Sequence, residues 1–87
     1  MGINYAQLGT LTAREIIAAL IRDGFSLRPH PGRKGSSHQR YQHQDGRRAT
    51  VSFHKSSDTF PPKTLKTIIE GQARWTEEDL KRLKLIG

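Results

Sequence analysis

The 87-residue chain contains no cysteine. Neither a disulfide nor a thiolate zinc site can hold it together, so packing of helices on a sheet must do so. Absence of cysteine fits a reducing compartment, and the cytoplasm is the expected location. No apolar run approaches the roughly 20 residues needed to cross a bilayer. The start, Met1 to Tyr5, lacks a basic segment followed by an apolar one, so no signal peptide is expected and no membrane partner. Acids are scarce as well, with 8 Asp and Glu against 15 Lys and Arg and a formal net charge of +7. That imbalance points to a polyanionic partner.

What is present is enough for one modest core, since 33% of the residues are apolar. A single domain over residues 1–87 is expected, with its core over about 11–70 and a helical extension over 71–87. The charge is uneven along it. Between Leu27 and His54 stand six Lys or Arg residues and one acid, Asp45. The other acids gather at Glu15, Asp23, Asp58, Glu70 and Glu77 to Asp79. A basic middle between balanced ends implies one basic face.

Helix signals open the pattern. Thr12-Ala13-Arg14-Glu15 is a capping box, followed by Ile16, Ile17, Leu20 and Ile21 at helical spacing. Asp23-Gly24 supplies the stop, because glycine accepts the left-handed conformation. A helix over Thr12 to Arg22 follows. Phe25 to Arg28 reads as a short strand, and Pro29 to Gly35 as a turn blocked from pairing by two prolines and two glycines. Ser37 to His43 and Arg48 to His54 alternate as strands around Asp45-Gly46, a hairpin signal. Pro61-Pro62 begins a second helix with Leu65, Ile68 and Ile69 on its apolar stripe, which Gly71 is expected to interrupt. Thr76 to Asp79 caps a short third helix to Leu83, expected to fold back through Trp75, Leu80 and Ile86. The fold class is α+β: α-β-β-β-α with a three-stranded antiparallel sheet, helices on one face, and a short C-terminal helix.

The hairpin register decides which side chains face out. Ala49, Val51 and Phe53 suit the core, and so does Tyr41. A two-residue loop would pair Tyr41 with Thr50, on the wrong face. A three-residue loop, Gln44-Asp45-Gly46 with Gly46 left-handed, pairs Tyr41 with Ala49. His38, Arg40 and Gln42 then share the open face, opposite Ser52, Thr50 and Arg48. His54 is expected diagonal to His38. His43 shares the parity of Tyr41, which places it at the core edge with a structural role.

An open face carrying histidine among arginines suits phosphodiester chemistry. A histidine can activate a 2′-hydroxyl or protonate a leaving oxygen, and Arg and Lys can meet the developing phosphate charge. A non-catalytic double-stranded-RNA-binding module would use the same charge without needing the histidine. A protein-interaction or DNA-binding element would draw on the charge alone. The four histidines, His30, His38, His43 and His54, match no ligand spacing, so no metal is expected. Gly35-Ser36-Ser37 offers backbone N–H groups to a phosphate.

A succession of motifs then narrows the field. Arg14-Glu15-Ile16-Ile17, Asp23-Gly24-Phe25, Lys34-Gly35-Ser36-Ser37-His38, Tyr41 to Arg48 and Pro62 to Ile69 resemble HicA-type toxins, the mRNA interferases of bacterial toxin–antitoxin pairs. The resemblance covers about Leu11 to Ile69 and implies a fold like a double-stranded-RNA-binding domain. It implies a metal-independent endoribonuclease without cofactor, acting on mRNA and inhibited by a HicB-like antitoxin. It also implies that His38, after a Gly-Ser turn and three residues before an aromatic, is the catalytic histidine. The family often reads Gly-Ser-His-His there, whereas this chain has an extra serine and Gln39. Around His38, the residues expected to hold RNA phosphates are Lys34, Gly35, Ser36, Ser37, Arg40, Arg48 and His54, with His54 as a second proton carrier.

Overall fold

The computed structural model describes residues 3–28 and 38–86. Helix α1 spans Ala13–Asp23, and the strands are β1 (Ser26–Arg28), β2 (His38–Gln42) and β3 (Arg48–Ser52). Helix α2 (Pro62–Lys66) continues as a wider π turn over Thr67–Gln72, and α3 covers Glu77–Arg82. The strands form one antiparallel sheet in the order β1-β2-β3. This is the α+β arrangement expected. A 3-10 turn at Tyr5–Leu8 precedes it. No periodicity announces that turn, because distant contacts hold it: the Tyr5 hydroxyl donates to Glu70 and Leu8 is fully buried.

Local chemistry explains the ends of α1. The Thr12 hydroxyl accepts from the Glu15 N–H at 3.3 Å, and Glu15 accepts from the Thr12 N–H at 3.1 Å. The remaining N–H groups of the first turn go to the loop after β3. Ala13 donates to the Asp58 carbonyl and Arg14 to the Ser56 carbonyl, at 2.8 and 3.0 Å. At the other end Gly24 sits at φ 107°, and its N–H returns to the Ile21 carbonyl. The buried arc of α1 takes in Ala13, Ile16, Ala19 and Leu20. Small alanines on that side turn the arc away from Ile21, which was expected on the apolar stripe and is 51% exposed.

The hairpin adopts the three-residue loop. His43 N–H donates to the Arg47 carbonyl at 2.9 Å, and Gly46 stands at φ 99°. Tyr41 pairs with Ala49, and both are buried with Val51. The Tyr41 hydroxyl donates to Gln39 at 2.7 Å, which satisfies the polar tip of a buried ring whose pKa burial pushes up. β3 stops at Ser52, two residues earlier than expected. The outer edge of β3 is covered: Gln72 on the π turn accepts the Thr50 N–H at 2.6 Å.

Gly71 does not interrupt the second helix, contrary to the pattern. The chain widens there instead, with Ala73 N–H reaching the Ile68 carbonyl at 2.8 Å. An exposed helical glycine costs only about 1 kcal/mol relative to alanine, too little to break a helix whose Leu65, Ile68 and Ile69 are buried. Left-handed Arg74 ends the turn. Beyond it, Trp75, Leu80 and Leu83 are buried in the same core cluster as Leu20 and Val51.

One carboxylate joins three parts of this structure. The Asp23 side chain is 8% exposed. It accepts from the Trp75 indole N–H at 2.8 Å and pairs with Arg82 at 2.8 Å and Arg47 at 3.1 Å. It thereby ties the end of α1 to the hairpin turn and to α3. Burial by itself would raise its pKa, but the indole N–H and the two guanidiniums outweigh burial and hold it below the usual carboxylate range. His43 completes the junction. Its Nε2 meets the Asp23 carbonyl at 2.8 Å, its Nδ1 accepts the Asp45 N–H, and its ring packs edge-on against Phe25. The ring is structural, at the core edge, as expected.

Two glycines should respond oppositely to alanine in urea unfolding. A Cβ on Gly24 would stand 2.9 Å from His43 Nε2 and force a side chain into the left-handed region. Gly24→Ala is expected to lose about 2 kcal/mol. A Cβ on Gly71 meets nothing within 4 Å, so Gly71→Ala is expected to gain about 0.5–1 kcal/mol. Asp23 carries a pH prediction. A depressed carboxylate stabilises the fold above its unfolded pKa, about 3.9, and that stability is lost as pH falls through the folded value. Asp23→Asn should cost about 2 kcal/mol at neutral pH and flatten the loss of stability below about pH 4. An unchanged acid profile in thermal melts would contradict this role.

Candidate nucleic-acid interface

The register sorts the open face into rows. Arg28 on β1 pairs with Arg40 on β2, which pairs with Thr50 on β3. In the next row Ser26 pairs with Gln42, and Gln42 with Arg48. Beyond the arginine row the backbone of His38 pairs with Ser52. Arg28, Arg40, Thr50 and Arg48 are all exposed. They line an open concavity of about 450 Å³, with Gln42 and parts of Tyr41 and Ala49. No residue of the three strands is Asp or Glu. Among the described residues, none of the three guanidiniums pairs with a carboxylate. Guanidinium stays charged at any physiological pH, so the positive field here is permanent.

Arg47 and Arg48 are neighbours with different tasks. Arg47 turns inward at the hairpin end. It meets Asp45 at 2.7 Å and Asp23 at 3.1 Å, donates to the Ala73 carbonyl at 2.6 Å, and lies over the Phe25 ring. The Arg47 backbone N–H, then its side chain and His43, hold Asp45 below the usual carboxylate range. With its charge spent internally, Arg47 fixes the turn, and strand alternation presents Arg48 outward. The single acid of the basic middle is thus consumed by Arg47 and does not reach the open face.

Of the expected phosphate-holding residues, Arg40 and Arg48 are brought together here. Lys34, Gly35, Ser36 and Ser37 lie outside the described residues, and for His38 the description is of the backbone. His54 departs from expectation. The ladder ends at Ser52, and His54 stands in the following bend, exposed. Asp58 accepts the backbone N–H groups of His54 and Lys55 at 2.9 and 3.1 Å. Those two N–H bonds, Lys55 first, hold the Asp58 carboxylate low. The bend they stabilise takes His54 off the strand and out of the ladder, and its position relative to the His38 side chain lies outside the described residues. The physical cause of the bend is the need to aim the Ser56 and Asp58 carbonyls at α1. Arg28 was missed by sequence reasoning. The sequence alone does not set the register of β1; only in the fold does Leu27 pair with Tyr41, which puts Arg28 beside Arg40.

The first turn of α1 is closed to anions, since Thr12, Ser56 and Asp58 take its N–H groups. Among the described residues no three His, Cys, Asp or Glu side chains are placed to hold a metal ion. No described helix is long and apolar enough to cross a membrane.

The family model described as the HicA toxin of bacterial toxin–antitoxin systems matches residues 13–75. No curated protein matches the chain. The matched span begins at the first residue of α1 and ends at Trp75, whose indole closes the Asp23 junction. Helix, three-stranded sheet and second helix all fall within it, and the chain belongs to the HicA toxin family, a toxin role that implies an antitoxin as partner.

Proposed function

We propose that this toxin is a metal-independent endoribonuclease that cleaves mRNA, with His38 as its catalytic residue. The observation that carries the reading is the open sheet face. It holds exposed arginines on neighbouring strands, no acid, and the backbone of His38 two residues along β2 from Arg40. Membership of the HicA family gives that face its context. The remaining support is the sequence Gly35-Ser36-Ser37 before His38 and the aromatic three residues after it.

In the proposed step a 2′-hydroxyl oxygen attacks the adjacent phosphorus. The bond from phosphorus to the 5′-oxygen breaks, leaving a 2′,3′-cyclic phosphate on one fragment and a 5′-hydroxyl on the other. His38 takes the 2′-hydroxyl proton or delivers one to the leaving oxygen. Lys34, Arg40 and Arg48 meet the charge that builds on the phosphoryl oxygens, and backbone N–H groups of Gly35, Ser36 and Ser37 add to them. His54 is the proposed second proton carrier. The inhibiting partner is proposed to be a HicB-like antitoxin, and the site of action the cytoplasm. Residues 1–87 are read as one HicA-like domain.

His38→Ala should lower cleavage of single-stranded RNA by about 10²–10⁴-fold, the usual contribution of a positioned proton carrier. Cleavage by the wild type should survive EDTA, while the variant keeps its melting temperature and RNA affinity. A variant that cuts as fast as the wild type would refute the assignment. Wild-type protein that binds RNA without cutting it would favour a non-catalytic double-stranded-RNA-binding module.

A further inference from the structure

Arg28 belongs to β1, the strand at one edge of the sheet, and faces Arg40 directly across the ladder. Side chains so placed start about 4.5–5.5 Å apart at Cβ. Both are exposed and permanently charged, and like charges directly opposite destabilise a sheet. Among the described residues no carboxylate pairs with either guanidinium. The strands carry no acid, and the sequence between Arg28 and His38 contains none either. Arg48 lies diagonal to Arg40, about 7–8 Å away along the backbone. All three border the same open concavity of about 450 Å³. An arrangement that costs stability without a ligand gains from an anion that both guanidiniums can share, and the planar fork of arginine fits phosphate oxygens two at a time.

We propose that Arg28 and Arg40 grip one phosphate of an RNA strand between them, while Arg48 takes the neighbouring phosphate. The proposal rests on the ribonuclease reading for its choice of RNA. The contacts are to the backbone, so they position the strand without reading its bases. They lay it across β1, β2 and β3, which determines the phosphodiester that arrives beside His38. Arg28 is in this account a positioning residue: it touches substrate away from the bond that breaks.

The test uses a single-stranded RNA oligonucleotide with 2′-O-methyl groups, which cannot react through its 2′-oxygens. Its affinity for the full chain is measured by fluorescence anisotropy across a salt series. Arg28→Gln should weaken binding about tenfold at low salt and lower the slope of log affinity against log salt measurably but by less than about 0.7, the share of one single-strand phosphate, because Arg40 keeps its contact with that phosphate. Its melting temperature should stay level or rise, since a repulsion has been removed. Lys81→Gln removes the same charge from α3, which does not line the concavity, and should leave the slope alone. Wild-type affinity and slope in Arg28→Gln, or an equal loss in Lys81→Gln, would overturn the clamp. Cleavage of unmodified RNA by the wild type is scored alongside. Cleavage with an indifferent Arg28 sinks the clamp and keeps the ribonuclease. Arg28-dependent binding without cleavage sinks the ribonuclease and keeps the clamp.

Discussion

A three-residue turn at Gln44 to Gly46 fixes the inward face of the hairpin, and the rest of the molecule is arranged around that choice. With Gly46 left-handed and Tyr41 opposite Ala49, Tyr41 and Val51 enter the core while Arg40 and Arg48 face out. A shift by one residue would bury two guanidiniums and expose the ring. The turn is held from below. Asp45 and Asp23 grip Arg47, and His43 bridges to the end of α1. Asp23 extends the hold to Trp75 and Arg82, so the C-terminal helix also depends on this junction. Structural charge is neutralised on the core side, and among the described residues the arginines of the open face pair with no carboxylate.

The two acid-poor and acid-rich parts of the chain therefore divide the work. Asp23, Asp45, Asp58 and Asp79 each satisfy backbone or guanidinium groups, and each is held below the usual carboxylate range. Asp58 organises the loop whose carbonyls cap α1. None of them is on a strand. The face that remains is positive without compensation, which suits a polyanion and makes the bare sheet less stable than a neutral one would be.

Much of this was legible in the residues. Parity alone put Tyr41 against Ala49, and the two capping boxes at Thr12 and Thr76 are present as read. Arg40 and Arg48 followed from the same parity. The failures have a common origin in contacts that cross long stretches of sequence. Arg28 needs the pairing of β1 with β2, which the turn signals from Pro29 to Gly35 do not specify. The Asp23 junction joins residues 24 to 59 positions apart, beyond any periodic pattern. The bend at His54 answers to α1, not to its own strand. The π turn at Gly71 depends on burial of Ile68 and Ile69 against the body, which outweighs a local preference to stop.

The central claim is that the open face of the sheet is where RNA lies. Backbone amide shifts in a nitrogen-15 NMR titration with the 2′-O-methyl oligonucleotide test it directly. The account predicts shifts concentrated at Arg28, Arg40, Arg48 and Thr50, with α1 and α3 nearly still. Shifts concentrated on the helices, with those four amides unmoved, would contradict it.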